Sequence, residues 1–296
     1  HFPAAMHAMK LGKAVFVEKP LAHTYQQCQL LMDAEKKYGV VTQMGNQGHS
    51  TIKYHQFKEY VAKGVVKDVA LTRVHMNMPR RWHKYKGNVF CYPAGEKIPE
   101  TLDWDSWLSV ARYHEYSPRY TQGEWRCWFD FGMGCLGDWG AHTMDTMFRF
   151  FDLGLPNEIK ISDVKGWNPY VYPMQDTLTF SFDAKGKRPK IDLEWYEGVD
   201  NLPKLPKGYQ YLAWGGDIPP ATGSTATEAR KLIPGRFFEL SDGSAWEGGS
   251  HSAPLLKIGV DKRDLPAYTQ PGSNHWKNFL LAVKGEEKVN SPFSLM

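Results

Sequence analysis

The sequence predicts an α/β segment followed by an α+β domain built on an open, mostly antiparallel sheet with flanking helices. Three observations carry this. The run Ala14-Val15-Phe16-Val17 has no polar alternation, which suits a strand covered on both faces, and helical patterns flank it on each side. Gly132 to Phe151 reads as one long amphipathic helix. From Ile159 onward, short strand-like runs separated by turn residues take over.

Taken in order, Phe2, Ala5, Met6 and Met9 predict a helix over His1 to Lys10, stopped at Leu11-Gly12. The apolar strand follows and ends abruptly in Glu18-Lys19-Pro20. Thr24 to Tyr38 is a second helix, with Thr24 as its N-cap and Gly39 at its C-terminal stop. Glu18 and Lys19 therefore stand at the carboxyl end of a sheet strand, where open α/β sheets bind ligands. Val40 to Met44 is a second strand, and the turn cluster Gly45-Asn46-Gln47-Gly48-His49-Ser50 follows it directly. Ser50 is expected to cap a helix running to about Lys63. Val66 to Met78 reads as a long strand whose imperfect alternation leaves its inward face open. Pro79 to Trp125 is aromatic and rich in Pro and Gly, with a helical piece near Asp103 to Ala111, and is expected to form a lid or wall of a site.

After the long helix, Ile159–Val164, Thr177–Phe182 and Lys190–Trp195 fit an antiparallel meander. Asn201 to Gly223 is a Pro/Gly-rich excursion. Arg236–Leu240 and Ser244–Trp246 are two further strands, and Asn274 to Val283 is a last amphipathic helix. The chain starts inside a helix with no cap before it and ends on a stretch with neither helix nor strand, so it reads as a fragment lacking both ends. An export signal ahead of His1 would not be visible, and a cytoplasmic and a periplasmic home both stay open.

Composition bounds the function. With 296 residues, 42% of them hydrophobic and 23% charged, the chain has the size of about one to two domains. Its 36 Lys and Arg against 32 Asp and Glu leave +4, too mild and dispersed to argue for nucleic acid. No apolar stretch approaches the ~18 residues of a membrane span. The four cysteines, Cys28, Cys91, Cys127 and Cys135, lack paired metal spacing and read as reduced thiols, with a disulfide left open. No His, Asp and Glu set has metal-ligand spacing, so no metal is expected. Eleven Trp and 15 Tyr fit the aromatic walls of a sugar site, although buried packing is the commoner use of such rings.

The helix after Gly134 holds the most informative spacing. Asp138, His142, Asp145 and Arg149 lie within roughly 60° of one another at about 100° per residue. A solvated charged stripe would show the same spacing. Against it, His142 sits between two carboxylates, which orient an imidazole and favour its protonated form. Gly132, Gly134 and Gly137 allow close backbone approach to a ligand. Trp125, Arg126 and Trp128 just upstream supply aromatic walls and a cation. Trp82, beside Arg80 and Arg81 after the long strand, is a further wall candidate.

Gly12-Lys13-Ala14-Val15-Phe16-Val17-Glu18-Lys19-Pro20-Leu21-Ala22, with Gly137-Asp138-Trp139-Gly140-Ala141-His142-Thr143-Met144-Asp145 downstream, resembles the glucose–fructose oxidoreductase / inositol dehydrogenase / MocA family. The likeness covers nearly the whole chain. It implies that residues 1–46 are the C-terminal part of a Rossmann domain binding NAD or NADP, and that 47–296 form an α+β substrate and oligomerisation domain, incomplete at its C-terminus. It implies that Lys19, Asp138 and His142 are catalytic, with His142 moving the hydroxyl proton, and that the Lys19-Pro20 bond is cis. It places Glu18, Lys19, Pro20, Asn46 and Gln47 at the cofactor. Gln47, His49, Trp82, Trp125, Arg126, Trp128, Asp138 and His142 fall at the substrate. The expected activity is hydride transfer between a nicotinamide and a secondary hydroxyl of a sugar, polyol or glycoside. Glycoside cleavage through a transiently oxidised sugar, and sugar binding without catalysis, are the competing readings. Family members associate through the open sheet, so a homo-oligomer is expected. The family's Gly-rich phosphate turn is absent from this chain. Gly132-x-Gly134-x-x-Gly137 meets the bare pattern, but no strand–turn–helix unit surrounds it.

Overall fold

The computed structural model describes residues 1–77, 89–121, 123–209, 235–249, 255–269 and 272–295. The first layer is α1 (Phe2–Lys10), β1 (Val15–Val17), α2 (Tyr25–Tyr38) and β2 (Thr42–Met44). β1 and β2 pair in parallel, Val15 opposite Thr42 and Val17 opposite Met44. The expected caps form: the Thr24 side chain accepts from Gln27 N, and Gly39 takes the left-handed conformation at φ 60°. Ala5, Met9, Leu31 and Ala34 bury one face of the strands together with Val15, Val17 and Met44.

The other face of β1 is covered from the far end of the chain. Phe16 packs edge-on against His275 and Phe279 of the last helix, His275–Val283. The closing stretch is also held in place. Met44 N donates to Ser291 O at 2.8 Å, Phe293 N donates to the Thr42 hydroxyl, and Phe293 is fully buried. Residues that read as a loose end in the sequence thus complete the first layer.

The second layer begins with α3 (Ile52–Ala62), β3 (Val69–Met76), α4 (Trp104–Leu108), α5 (Gly134–Thr143) and α6 (Asp145–Phe151). It continues through β4 (Glu158–Lys165), β5 (Gln175–Phe182), β6 (Ile191–Glu197), β7 (Gly235–Leu240), β8 (Ala245–Gly249), β9 (Leu256–Lys257) and α7, the helix that covers Phe16. The seven strands form one sheet in the order β4-β5-β6-β3-β7-β8-β9. The β4-β5-β6 meander is antiparallel as expected, and only the β3–β6 pair is parallel, so the sheet is mixed. β3 sits at its centre, which explains its imperfect alternation: Val74, His75 and Met76 are all buried in succession. The core lies between the sheet and the helices, where Phe57 stacks on Phe150 at 5.4 Å and meets Phe238 at 5.5 Å. No helix among the described residues is long and apolar enough to cross a membrane, and none of the four cysteines is joined in a disulfide.

Two expectations fail. Ser50 does not cap α3; Gln47–Ser50 form a 3-10 turn, Thr51 holds the N-cap position, and the Ser50 hydroxyl bonds His275 Nδ1 at 2.9 Å instead. The helix expected over Gly132 to Phe151 breaks at Met144. Arg236 of β7 takes the Thr143 carbonyl, and Met147 N turns back to Met144 O at 2.9 Å. The Thr143 hydroxyl also bonds the Trp139 carbonyl at 3.0 Å, a back-bond that favours bending.

The described part of the aromatic loop packs largely into the core rather than standing as the wall of a site. Asp103 caps α4, Trp104 stacks on Trp107 at 4.7 Å, and Tyr120 meets Trp128 and Phe131, each at 5.0 Å. The Asp130 carboxylate accepts from Tyr92 at 2.9 Å and pairs with His114 at 2.7 Å.

Asp176 on β5 supplies a pH test of the packing. Burial pushes its carboxyl up to about 6, against the lowering contacts of Glu197 and Trp195. An acid raised by folding is destabilising once ionised, so the penalty is absent below about pH 4 and complete above about pH 6. Asp176→Asn is expected to stabilise the protein at pH 7.5 by on the order of 1–3 kcal/mol and to change little at pH 4. Thermal unfolding at the two pH values checks this, and an equal gain at both would contradict it.

Candidate active site

The site forms where β1 ends. The chain leaves Val17 through Glu18 and Lys19 into a cis Lys19-Pro20 bond. The turn after β2 lies alongside, because Gly45 N donates to Val17 O at 2.6 Å. A side chain at Gly45 would overlap the Glu18 carboxylate, with Oε2 only 2.3 Å from a Cβ there. Glu18 itself is exposed.

Lys19 Nζ donates to Asp138 Oδ1 at 2.6 Å and to the Asp138 carbonyl at 2.5 Å. The two residues lie 119 positions apart in the chain. Arg126 Nε stands 3.5 Å from the same Oδ1, and its guanidinium covers the Trp125 ring at 4.3 Å. Burial pushes the Asp138 carboxyl up, but the Lys19 hydrogen bond and the charges of Lys19, Arg126 and His142 outweigh it and hold it below the usual carboxylate range. His142 follows one turn later on α5, buried at 9% exposure, with Trp139 edge-on at 5.9 Å. A cavity of about 530 Å³ opens beside Asp138 and Arg126, lined also by Pro20, Trp125, Phe131 and Met133 but not by Lys19 or His142. It joins the end of β1 to the start of α5, and Asp138 is the member of the catalytic candidates that lines it.

Three glycines expected to admit a ligand make a tighter approach to the protein itself. A Cβ at Gly132 would lie 2.4 Å from the Arg126 carbonyl oxygen, and one at Gly134, at φ 62°, would lie 2.6 Å from the Tyr172 ring. Gly137 is likewise closed by Met133. The residues before α5 form a 3-10 turn, Glu124–Cys127, rather than a strand, so the glycine pattern here is not a dinucleotide turn.

Several sequence candidates fall elsewhere. His49 is fully buried; Nε2 faces Asp145 Oδ1 at 2.8 Å, Nδ1 faces Asn290 O at 3.0 Å, and the ring stacks on Tyr54 at 4.4 Å. With both nitrogens engaged it presents nothing to a substrate, which corrects that expectation. Trp128 is also fully buried, and its Nε1 donates to Arg119 O at 3.0 Å, so it belongs to the core rather than to the wall. Asn46 is buried and its amide donates to Ala141 O at 2.8 Å. Gln47 is half-buried, and Trp125 and Arg126 reach the cavity. Trp82 lies outside the described residues. The helical stripe is divided by the break: Asp138 lines the cavity with His142 one turn on, Asp145 serves His49, and Arg149 Nε donates to Tyr54 OH at 3.2 Å. Arg236 was not legible as part of this region. Its one signal is a charge inside the apolar strand Gly-Arg-Phe-Phe-Glu-Leu, where it is fully buried. Among the described residues no group of three His, Cys, Asp or Glu side chains could hold a metal ion.

A carboxylate gripped by an ammonium and a guanidinium, one turn before a buried imidazole, suits proton transfer next to a stabilised oxygen. The end of a parallel strand beside it, with Lys19, Pro20 and Gln47 exposed or half-buried, fits the edge of a flat heteroaromatic ring.

Residues 1–46 match the family model described as oxidoreductase family, NAD-binding Rossmann fold, and residues 50–169 match the model of the same family's C-terminal alpha/beta domain. Together these span rather more than half of the chain. The chain is 32% identical over 131 residues to an inositol 2-dehydrogenase/D-chiro-inositol 3-dehydrogenase of Lactiplantibacillus plantarum, a stretch that covers 41% of this chain and 35% of that protein. The match thus spans about a third of the curated relative's length. Among solved structures, the WlbA dehydrogenase of Chromobacterium violaceum, in complex with NADH and UDP-GlcNAcA, superposes over 100% of this chain and 68% of its own at a TM-score of 0.59 and 12% identity. An NAD binding oxidoreductase from Klebsiella pneumoniae superposes over 100% and 71%, at 0.54 and 18%. At these identities the structural likenesses establish the fold.

The depressed Asp138 carboxyl contributes stability that is lost as pH falls through its lowered value. Lys19→Met removes its first lowering partner and leaves burial dominant. The Asp138 carboxyl is then expected to move from below to above the ordinary carboxylate range. A carboxyl carbon NMR titration of wild type and variant checks the direction; an unmoved resonance would show that the pair does not set this ionisation.

Proposed function

Because the chain belongs to the glucose–fructose oxidoreductase / inositol dehydrogenase / MocA family of oxidoreductases, we propose that it transfers a hydride between a nicotinamide cofactor and a secondary hydroxyl of a sugar, polyol or glycoside. The observation that carries this reading is the Lys19–Asp138 contact at 2.6 Å, one helical turn from His142.

In this reading residues 1–46 form the nucleotide side and 47–296 the substrate side. Glu18, Lys19, Pro20 and Gln47 stand at the strand ends where the nicotinamide would be held. The bound cofactor supplies the hydride chemistry, and the protein aims it. His142 accepts the hydroxyl proton during oxidation and returns it during reduction. Lys19 places a positive charge where negative charge grows on the substrate oxygen. Asp138 holds that ammonium in place and shares the cavity wall with Arg126 and Trp125, which suit a polar ring with one apolar face. The relationship to an inositol dehydrogenase supports a polyol as the first substrate to try. On β4 the apolar Ile159 and Ile161 are 57% and 66% exposed, which supports a homo-oligomer formed through the open sheet.

The test uses full-length protein with NAD+ or NADP+ and a panel of polyols and sugars headed by myo-inositol, followed by absorbance of the reduced cofactor. His142→Ala is expected to lower kcat by about 10²–10⁴-fold and Lys19→Met by about 10²–10³-fold, with the reduced-cofactor affinity less affected. Near-normal turnover in both variants would sink the proposal.

A further inference from the structure

We propose that Asn46, His49 and Arg236 are positioning residues that hold the end of α5, and with it His142 and Asp138, in register with Lys19. This rests on the reading of those three residues as the reacting set.

The three grips bracket His142. Asn46 Nδ2 donates to the carbonyl of Ala141, the residue before it. Arg236 donates to the carbonyl of Thr143, the residue after it. His49 holds the carboxylate of Asp145, the first residue of α6. All three side chains come from outside α5 and α6, and all are buried: Asn46 is 1% exposed, His49 and Arg236 0%. The last carbonyls of a helix lack intrahelical donors, so the end of α5 is where outside donors can fix a helix without competing with it. A cation at the end of α5 and a carboxylate at the start of α6 also complement the two helix dipoles.

The cost of Arg236 argues that position is what it is kept for. Among the described residues its Nε and Nη2 have no hydrogen-bond partner, so a fully buried guanidinium is held there through Nη1, on the Thr143 carbonyl. Burial lowers its pKa to about 10, and the Asp145 charge opposes that shift. Lys53, also fully buried, lies close enough for Arg236 to depress its ionisation further. An apolar residue would remove this like-charge pair but would free the Thr143 carbonyl. His49 in turn ties α6 to the turn after β2 and, through Asn290 O, to the closing stretch of the chain. The turn that carries Asn46 and Gln47 and the helix that carries Asp138 and His142 therefore move as one body.

The test reads Lys19 directly. Full-length protein is treated with limiting sulfo-N-hydroxysuccinimidyl acetate, and acetylation of Lys19 is compared by peptide mass spectrometry with that of Lys63, whose side chain is 51% exposed. His49→Gln, Asp145→Asn and Arg236→Met are each expected to raise Lys19 acetylation by at least about threefold with Lys63 unchanged, and the His49→Gln/Asp145→Asn double variant should rise no further than the singles. With myo-inositol and NAD+, kcat is expected to fall at least about tenfold while KM for NAD+ stays within about twofold. An unchanged Lys19 in folded variants, a parallel rise at Lys63, or additive effects in the double variant would overturn the proposal. Should Arg236→Met fail to fold, Asn46→Ala gives the same reading at the third grip. The labelling needs no turnover, so a protein inactive on every polyol would refute the enzymatic reading while leaving this one decided by Lys19.

Discussion

The contact between Lys19 and Asp138 organises the molecule. It ties the mouth of a short parallel strand to the middle of a helix from the other layer. Both side chains are largely withdrawn from water, at 18% and 16% exposure. A carboxylate in that setting stays ionised only when donors converge on it, and here an ammonium, a guanidinium and a neighbouring imidazole do so. Of these groups Asp138 and Arg126 also line the cavity, beside Trp125 and Phe131. Stabilising the carboxylate and building the site are one arrangement seen from two sides.

That contact needs two layers held at fixed distance, and elements far apart in the chain provide this. α7 covers Phe16 on the back of β1, while the stretch through Phe293 closes over β2. β3 enters the sheet between β6 and β7, and α3, which precedes it, follows the turn after β2 directly. Buried and half-buried polar side chains then join the layers: Gln43 to His275, His275 to Met44 and Ser50, and Asn290 to Ser50. Each leaves water for a specific partner, and each would be expensive to bury without one.

Much of the local structure was legible because the signals are short-ranged. Thr24 and Gly39 delimit α2 as their chemistry requires, and period-two runs with turn residues between them located β4, β5 and β6. The break at Met144 was not legible. The spacing from Asp138 to Arg149 runs through it without interruption, and the break depends on Arg236, a residue 93 positions beyond the carbonyl it takes. His49 and Trp128 were expected at the substrate because polarity and aromaticity suit a site, but residue type does not state which way a side chain turns. The partner that holds His49, Asp145, lies 96 positions away, and Trp128 is held by the Arg119 carbonyl nine residues before it.

The sequence by itself determined most element types, the caps of α2 and the antiparallel meander, since each is written in spacing over a few residues. Tertiary structure alone decided the place of β3, the closure of the first layer by the chain's far end, and which candidates face the cavity. Most of those outcomes depend on contacts between residues far apart in the chain, and no periodicity records which side chain will meet a given carbonyl or carboxylate.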